Sequence, residues 1–344
     1  GENAVVSGAA KYWTATRTMT VDDEDGIIPF TIDFLDLASN DGIQVLSTSD
    51  ETEIRLDNTL PTLPEVTIVS SNTFDQSLAR VGDDITITFA SSEIIQTPSV
   101  TIGYQEALVS GNGTGLSWTA SRTMVEDDFD GDVTFAIDFL DLAGNTGEQI
   151  IITTDSSGVV FDQIAPLLSV VGIESDNIYD ISLAKIDDSV ILLFTSNEAI
   201  QEPSILIGGQ DAQVSGDSIT WTAVRNYDEF IPDPDGIIGF TIDYIDLAGN
   251  VGVQVDSTTD ESSVTFDRTV PEMTLIEIVS DNYYDSTLAM VADELTLTFT
   301  SSENIQAPPT VLIGDSIVNV SGFGSSWTAV RTMFGDDQEG EVAF

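Results

Sequence analysis

Short runs of alternating apolar and polar residues fill most of this chain. In the run DITITFAS at 84–91, Ile85, Ile87 and Phe89 alternate with threonines. A period of two places the apolar side chains on one face of a β-strand. Similar runs recur at intervals of roughly 8–12 residues, separated by Gly, Asn, Asp and Pro. The run EQIIITT at 148–154 is one of them. The pattern predicts an all-β protein.

The strand pattern itself repeats about every 105 residues. The string SWTASRTM at 117–124 has three counterparts, and their tryptophans lie 105, 103 and 106 residues apart: Trp13, Trp118, Trp221 and Trp327. A second motif, close to FDxTxP, places three prolines 105 residues apart: Pro61, Pro166 and Pro271. Self-similarity at a fixed period indicates one domain copied in tandem.

Each repeat holds about seven predicted strands, which favours an immunoglobulin-like β-sandwich. The proline motifs act as linkers and predict two complete domains, 58–162 and 163–267. Residues 1–57 hold the C-terminal strands of another domain, and residues 268–344 hold N-terminal strands. Either the chain is a window from a longer array, or its ends complete each other between neighbouring chains, because an incomplete sandwich exposes strand edges.

Three motifs recur along the chain: the FDxTxP linker, LTLTFTSSENI at 295–305 and DLAGNTG at 141–147. They resemble the bacterial Ig-like (Big) repeats of very large surface adhesins. The resemblance extends over the whole chain, repeat by repeat. It implies tandem Ig-like sandwiches that form an extended, extracellular array, often loaded with calcium, and it names no ligand.

The net charge of −50, from 59 acidic and 9 basic residues, changes the picture of such an array. Hydrophobic residues still make up 41% of the chain, so the sequence predicts a folded protein rather than an acidic tail. Bound cations or high salt must offset the repulsion. Nucleic acid and anionic membranes are unsuitable partners. The chain lacks Cys and His, which excludes disulfides, thiolate metal sites and the usual general base.

The acidic residues recur at corresponding places in each repeat. One set forms an acidic loop, VEDDFDGD at 125–132, and its counterparts. Others belong to the DLAGN motif, to the Glu of the SSE or SNE string, and to the linker Asp. The candidate ligands are Asp22, Asp23, Asp25, Asp36, Asp57, Glu93, Asp127, Asp128, Asp130, Asp141, Asp162, Glu198, Asp233, Asp235, Asp246, Asp267, Glu303, Asp336 and Asp337.

Loops of a sandwich gather at its two poles. We therefore expect the acidic loop 125–132 to face Glu198 and Asp246 across a junction, with the linker Asp162 between them. Ca²⁺ binds roughly six to eight oxygen ligands in flexible geometry. A softer metal would find few ligands without His or Cys. The sequence predicts Ca²⁺ at the junctions.

Two other interpretations remain open. Asp141 can cap backbone amides in a tight turn made by Gly144 and Asn145, without any cation. General adaptation to salt would instead spread carboxylates over the strand faces. Many exposed strand positions are Thr or Ser, which favours clustering at sites.

Trp118 and Arg122 lie on the same face of one predicted strand. We expect Trp118 to fill the core between the sheets. Arg122 then emerges beside the acidic loop, where we expect a partly exposed ion pair with its carboxylates.

No nucleophile elbow or catalytic triad occurs in the sequence, so we expect no enzyme activity. The favoured function is a structural segment of an extracellular repeat protein: a calcium-stiffened stalk of a cell-surface adhesin. The alternative is a self-assembling subunit of an extracellular filament or sheath. The expected partners are other copies of the repeat, in tandem or head-to-tail. Contacts with surface glycans or cells would fall to regions outside this sequence, and no membrane insertion is expected.

Overall fold

The computed structural model describes residues 3–230 and 233–344, and its regular secondary structure within these ranges is entirely β. This confirms the predicted all-β class. No helix long and apolar enough to cross a membrane occurs among the described residues.

The N-terminal segment forms two hairpin-like pairs. Strands β1 and β2 pair antiparallel, as do β3 and β4. The strands are β1 (Val5–Ala9), β2 (Tyr12–Thr16), β3 (Gly26–Ile27) and β4 (Arg55–Leu56).

The next repeat contains ten strands in three sheets. Their bounds are β5 (Glu65–Ser70), β6 (Leu78–Ala79), β7 (Asp84–Ala90), β8 (Ser99–Ile102), β9 (Gln105–Glu106), β10 (Leu108–Gly111), β11 (Ser117–Thr123), β12 (Gly131–Asp132), β13 (Phe135–Asp138) and β14 (Val160–Phe161). The sheet orders are β10-β11-β7-β5, β13-β8-β9 and β12-β14-β6.

The same arrangement recurs in the following repeat. Its strands are β15 (Leu168–Ser175), β16 (Leu183–Ala184), β17 (Ser189–Ser196), β18 (Ser204–Ile207), β19 (Gln210–Asp211), β20 (Gln213–Gly216), β21 (Thr220–Asn226), β22 (Gly236–Ile237), β23 (Phe240–Asp243) and β24 (Thr265–Phe266). The sheet orders are β15-β17-β21-β20, β19-β18-β23 and β16-β24-β22. The C-terminal segment adds β25 (Met273–Ser280), β26 (Glu294–Ser301), β27 (Val311–Ile313), β28 (Ser316–Val318), β29 (Val320–Phe323) and β30 (Ser326–Thr332).

The alternation of side chains explains the core of the 58–162 repeat. Strands β7 and β11 pair antiparallel, which places Phe89 opposite Trp118 and Ile87 opposite Ala120 on one face. Trp118 is only 8% exposed, which confirms its predicted place in the core. The same cluster buries residues from the other sheets: Val100, Ile102, Phe135, Ile137 and Phe161. Apolar residues of facing sheets enclosing one core make this an Ig-like sandwich.

One predicted strand is shorter than expected. The segment 148–154 forms only an isolated bridge, between Ile150 and Ile137. Beyond it, Thr154 bonds to Val66 on β5, since its amide and hydroxyl both contact that backbone. The segment therefore changes partners between sheets before a longer ladder can form.

The chain divides into two compact units. One comprises Gly1–Gly172, Leu192–Val224 and Gly239–Glu261; the other comprises Ile173–Ile191, Arg225–Ile238 and Ser262–Phe344. These units do not follow the linker motifs. The domain boundaries at 58, 163 and 268 therefore stay a prediction.

Candidate cation-binding junctions

The DLAGN motif folds into a tight turn around its own aspartate. Asp141 Oδ1 accepts bonds from the amides of Gly144 (2.6 Å) and Asn145 (2.8 Å), and Oδ2 accepts one from Asn145 Nδ2 (2.6 Å). Gly144 has φ +97°, a conformation that disfavours other residues. Although burial raises the pKa of Asp141, the bonds from Asn145 and Gly144 outweigh it and hold the pKa below its usual value. Turn capping, one of the two open interpretations, therefore explains part of the role of the Asp141 carboxylate.

The turn at 246–250 repeats this geometry. Asp246 accepts bonds from Gly249 and Asn250 amides at 2.6 and 2.9 Å. Asn250 Nδ2 donates to Asp246 Oδ2 (2.8 Å) and also to the carbonyl of Asp162 (2.9 Å). The asparagine thus ties the turn to the linker that precedes its repeat.

This tie brings three carboxylates together at each of two linkers. The first triad is Asp57, Glu93 and Asp141; the second triad is Asp162, Glu198 and Asp246. In each triad the ligand oxygens lie within 4.8 Å of one another. Each linker Asp comes just before the repeat whose loops supply the other two. Every member of the first triad lies 105 residues before its counterpart in the second, so the two triads are equivalent sites of successive repeats.

The three carboxylates of each triad carry the same charge and repel one another. Burial raises the pKa of Glu198, and the nearby carboxylates of Asp162 and Asp246 raise it further. Burial likewise raises the pKa of Asp162, with Asp246 and Asp130 adding to the shift. Like charges held close disfavour ionisation, so the carboxylates of the second triad repel one another.

The first triad has a cationic neighbour. Arg55 lines one cleft together with Asp57 and Glu93. Burial and the carboxylates of Asp57 and Asp141 still raise the pKa of Glu93. At the position of Arg55 the second triad has the apolar Val160. The two triads thus share a geometry and differ in this flanking residue.

The acidic loop contains its own cation partner. Arg122 Nη2 contacts both oxygens of Asp128, at 2.6 and 2.9 Å, and Nη1 donates to the carbonyl of Ile102 (3.2 Å). Asp128 Oδ2 also accepts the amide of Val125 (2.8 Å). The predicted pairing is confirmed. The expected partial exposure was wrong, because only 12% of the Arg122 side chain and 6% of the Asp128 side chain are exposed.

The same arginine–aspartate pair recurs in the other repeats. The pairs are Arg17–Asp23, Arg225–Asp233 and Arg331–Asp337. In each repeat, one carboxylate of the acidic loop therefore forms an ion pair with an arginine of the same repeat. Asp23, Asp128, Asp233 and Asp337 have this environment in place of a carboxylate triad.

A further carboxylate of the loop holds the linker. Asp130 Oδ1 accepts the amide of Gln163 at 2.9 Å. Asp25 and Asp235 accept the equivalent amides of Asn58 (2.7 Å) and Arg268 (2.9 Å). These residues connect the acidic loop to the linker, beside the triad rather than within it.

The remaining candidate ligands lie outside both triads. Asp36 caps its own turn through Ala38 and Asn40, at 2.8 and 2.9 Å. Asp267 and Glu303 line a common cleft at the third linker. The acidic-loop candidates not yet described, Asp22, Asp127 and Asp336, are exposed.

No family model matches this chain, and no curated protein sequence matches it. A solved marsupial T cell receptor aligns with 81% of this chain and 98% of its own, at 11% identity and TM-score 0.33. The D00-D0 domain of intimin aligns with 59% of this chain and 99% of its own, at 11% identity and TM-score 0.25. The extracellular region of plexin A4 aligns over 86% of this chain and 23% of its own, at 12% identity and TM-score 0.23. Alignments this loose do not bear on function.

Proposed function

We propose that this chain is a structural segment of an extracellular repeat protein, in which Ca²⁺ at the linkers stiffens a stalk of Ig-like domains. The observation that carries the proposal is the pair of triads, each joining a linker carboxylate to two loops of the repeat that follows. A cation bound there would fix the linker against that repeat. The Big-type resemblance and the tandem repeats support a surface adhesin as the parent protein.

The donors suit Ca²⁺ in kind. All are carboxylate oxygens, and hard divalent cations prefer oxygen ligands. Hydrogen bonds to the turn already orient Asp246, and a carboxylate has about four lone-pair sites, so acceptor capacity remains for a cation. Burial and then repulsion between carboxylates raise the pKa of Glu198 and Asp162, and a bound cation would relieve the repulsion.

Stiffening is the physical step that turns binding into function. Without a cation, the carboxylates repel one another and the linker is less constrained than with one. With Ca²⁺ bridging them, the linker loses that freedom, and the fixed φ of Pro166 restricts it further. A stalk made in this way would hold its distal end away from the cell surface.

Small-angle scattering on the full chain tests the proposal. At constant ionic strength, Ca²⁺ should lengthen the maximum dimension and narrow the distance distribution relative to chelator. Mg²⁺ should do so less well, because it demands octahedral geometry and gives up its water reluctantly. A distribution that is identical in Ca²⁺ and chelator would overturn the calcium-stiffened stalk.

A matched pair of variants assigns the response to the triads. Glu93→Gln with Glu198→Gln removes one carboxylate from each triad and should abolish the Ca²⁺ effect. Glu126→Gln with Glu202→Gln removes the same charge from exposed positions outside the triads and should preserve it. Negative staining of the same samples tests the alternative, since a filament subunit would form fibres.

A further inference from the structure

The turn at 246–250 makes a second contact, with the preceding repeat. Asn72, which is 4% exposed, donates from Nδ2 to the carbonyl of Ala248 at 2.8 Å. Arg80 Nη1 donates to the carbonyl of Gly249. Two side chains of the 58–162 repeat therefore bind two successive carbonyls of the next repeat.

Asn72 is held in place for this contact by its own loop. Its Oδ1 accepts the amide of Phe74 at 2.9 Å, and its Nδ2 also donates to Asp83 at 2.8 Å. The Arg80 amide donates to the same Asp83 carboxylate at 2.9 Å. A preorganised donor loses little conformational entropy on binding.

Shape complementarity adds to the hydrogen bonds. The Arg80 guanidinium lies 6.0 Å from the centre of the Phe74 ring, within range of a cation–π interaction. A Cβ on Gly249 would lie 2.5 Å from Phe74 Cε2, so the ring, which is half exposed, would have to move away from the turn. Gly249 also has φ +93°, which glycine adopts without strain.

The turn at 141–145 supplies an internal comparison. Gly144 has nearly the same φ, +97°, yet a Cβ there would meet nothing within 4 Å. Ala143 and Gly144 are exposed, whereas Ala248 and Gly249 are buried. The turn at 246–250 is therefore covered and the turn at 141–145 is open, because the loop equivalent to 72–80 that would face the latter falls before residue 1.

We infer that Asn72, Phe74 and Arg80 form a metal-independent latch that receives the Ala248–Gly249 backbone of the adjoining repeat and restrains the linker in the absence of a cation. This inference rests on the proposed role as a repeat array. The partner that the latch fits is the glycine-containing DLAGN turn of another copy of the repeat. The latch and the second triad involve the same turn: the latch contacts its backbone at Gly249, and the triad includes its Asp246 side chain.

The latch residues vary along the array. Asn72 is followed by Asn177 and Asn282 at the equivalent positions, and each is bonded to its own loop aspartate at 2.7 Å. Arg80 is replaced by Lys185 and then by Met290. Lysine donates as a flexible point charge and methionine does not donate at all. The strength of the latch should therefore fall from repeat to repeat, so that the junctions of one array differ in stiffness.

Paired spin labels test the latch on the full chain, which has no native cysteine. Ser110→Cys and Ser215→Cys place the labels at equivalent, exposed positions of the two repeats. In chelator, Gly249→Ala should broaden the distance distribution, because the added methyl group collides with Phe74. Gly144→Ala carries the same φ strain without a collision and should leave the distribution unchanged.

A second variant avoids the glycine altogether. Arg80→Gln should broaden the distribution in chelator, while Lys185→Gln should not, because Lys185 belongs to a different linker. The latch is overturned if Gly249→Ala broadens no more than Gly144→Ala, or if Arg80→Gln has no effect. Failure of the calcium proposal gives a different result: Ca²⁺ would leave the unsubstituted pair unchanged while the two latch variants still broadened it.

Discussion

Two sets of carboxylates in the same repeats have opposite electrostatic surroundings. Asp128 lies in the acidic loop and is neutralised by Arg122 at 2.6 Å. Asp246 lies in the second triad, where its nearest charged neighbours in that cluster are Asp162 and Glu198. Both aspartates are buried, so exposure does not explain the difference. What separates them is whether the chain supplies the compensating cation.

The supply of basic residues is small. Four of the nine are the arginines that serve the acidic loops: Arg17, Arg122, Arg225 and Arg331. Because the loops use these four cations, none of the four pairs with a carboxylate of the second triad. Breaking an internal arginine–aspartate pair should therefore lower the free energy of unfolding. The stability conferred by a triad should instead depend on the cations in solution.

The largest effect should come from breaking an internal pair. Arg122→Gln leaves the buried Asp128 without its cation, and removing one partner of a buried ion pair costs about 3–5 kcal/mol. Denaturant unfolding of the repeat, followed by Trp fluorescence, measures the loss. Lys185→Gln is the control, since its pair with Asp188 spans 3.4 Å with the lysine 60% exposed. Such surface pairs contribute about 0–1 kcal/mol. Equal losses of unfolding free energy in Arg122→Gln and Lys185→Gln would show that the buried pair contributes no more to stability than the exposed pair.

A smaller effect should follow from calcium itself. Extracellular modules bind Ca²⁺ with dissociation constants of about 0.1–1 mM. At about 10 mM Ca²⁺, which is about ten to a hundred times higher, each occupied site should stabilise the folded state by about 1.4–2.7 kcal/mol. Thermal melts with and without chelator, at fixed ionic strength, check this. The contribution of the Arg122–Asp128 pair to stability should not depend on Ca²⁺. An unchanged melting temperature in chelator would contradict Ca²⁺ binding at the junctions.

The smallest effect should change sign with conditions. Glu198→Gln removes a repelled charge in chelator and should raise the melting temperature at pH 7. In Ca²⁺ it removes a ligand and should lower the melting temperature. Glu202→Gln, at an exposed position of the same segment, should do neither. A shift of the same sign in both conditions would show that Glu198 is not a ligand.

The pH dependence of that variant follows from the raised pKa of Glu198. The carboxyl of Glu198 has its ordinary pKa of 4.5 in the unfolded chain and a higher pKa in the folded state, so the folded state binds the proton more tightly. The resulting stabilisation is complete below pH 4.5 and is lost as the pH rises through the folded-state value. In chelator, the advantage of Glu198→Gln should therefore appear only as the pH rises above 4.5.

The repeats show how far local sequence reaches. Strand β1 pairs with β2 so that Gly8 lies opposite Trp13, and β10 pairs with β11 so that Gly111 lies opposite Trp118. The hairpin register is the same because the strings around both tryptophans are alike. Trp118 is 8% exposed because β7, from elsewhere in the chain, pairs with β11. The strand that would pair in the same way beside Trp13 falls before residue 1, and Trp13 is 64% exposed.

The sequence alone determined the β class, the repeat length, the short strands and the set of acidic positions, because alternation and turn residues act over a few neighbours. It also predicted the pairing of Arg122 with the acidic loop. From the placement of loops at the poles it predicted that Asp162, Glu198 and Asp246 would meet. Only the tertiary structure decided that the acidic loop stays outside this cluster, with Asp128 paired to Arg122 and Asp130 bonded to the Gln163 amide. The same holds for Asn72 and Ala248, 176 residues apart. Contacts at such separations depend on how whole sheets pack, and that geometry is set by the folded core.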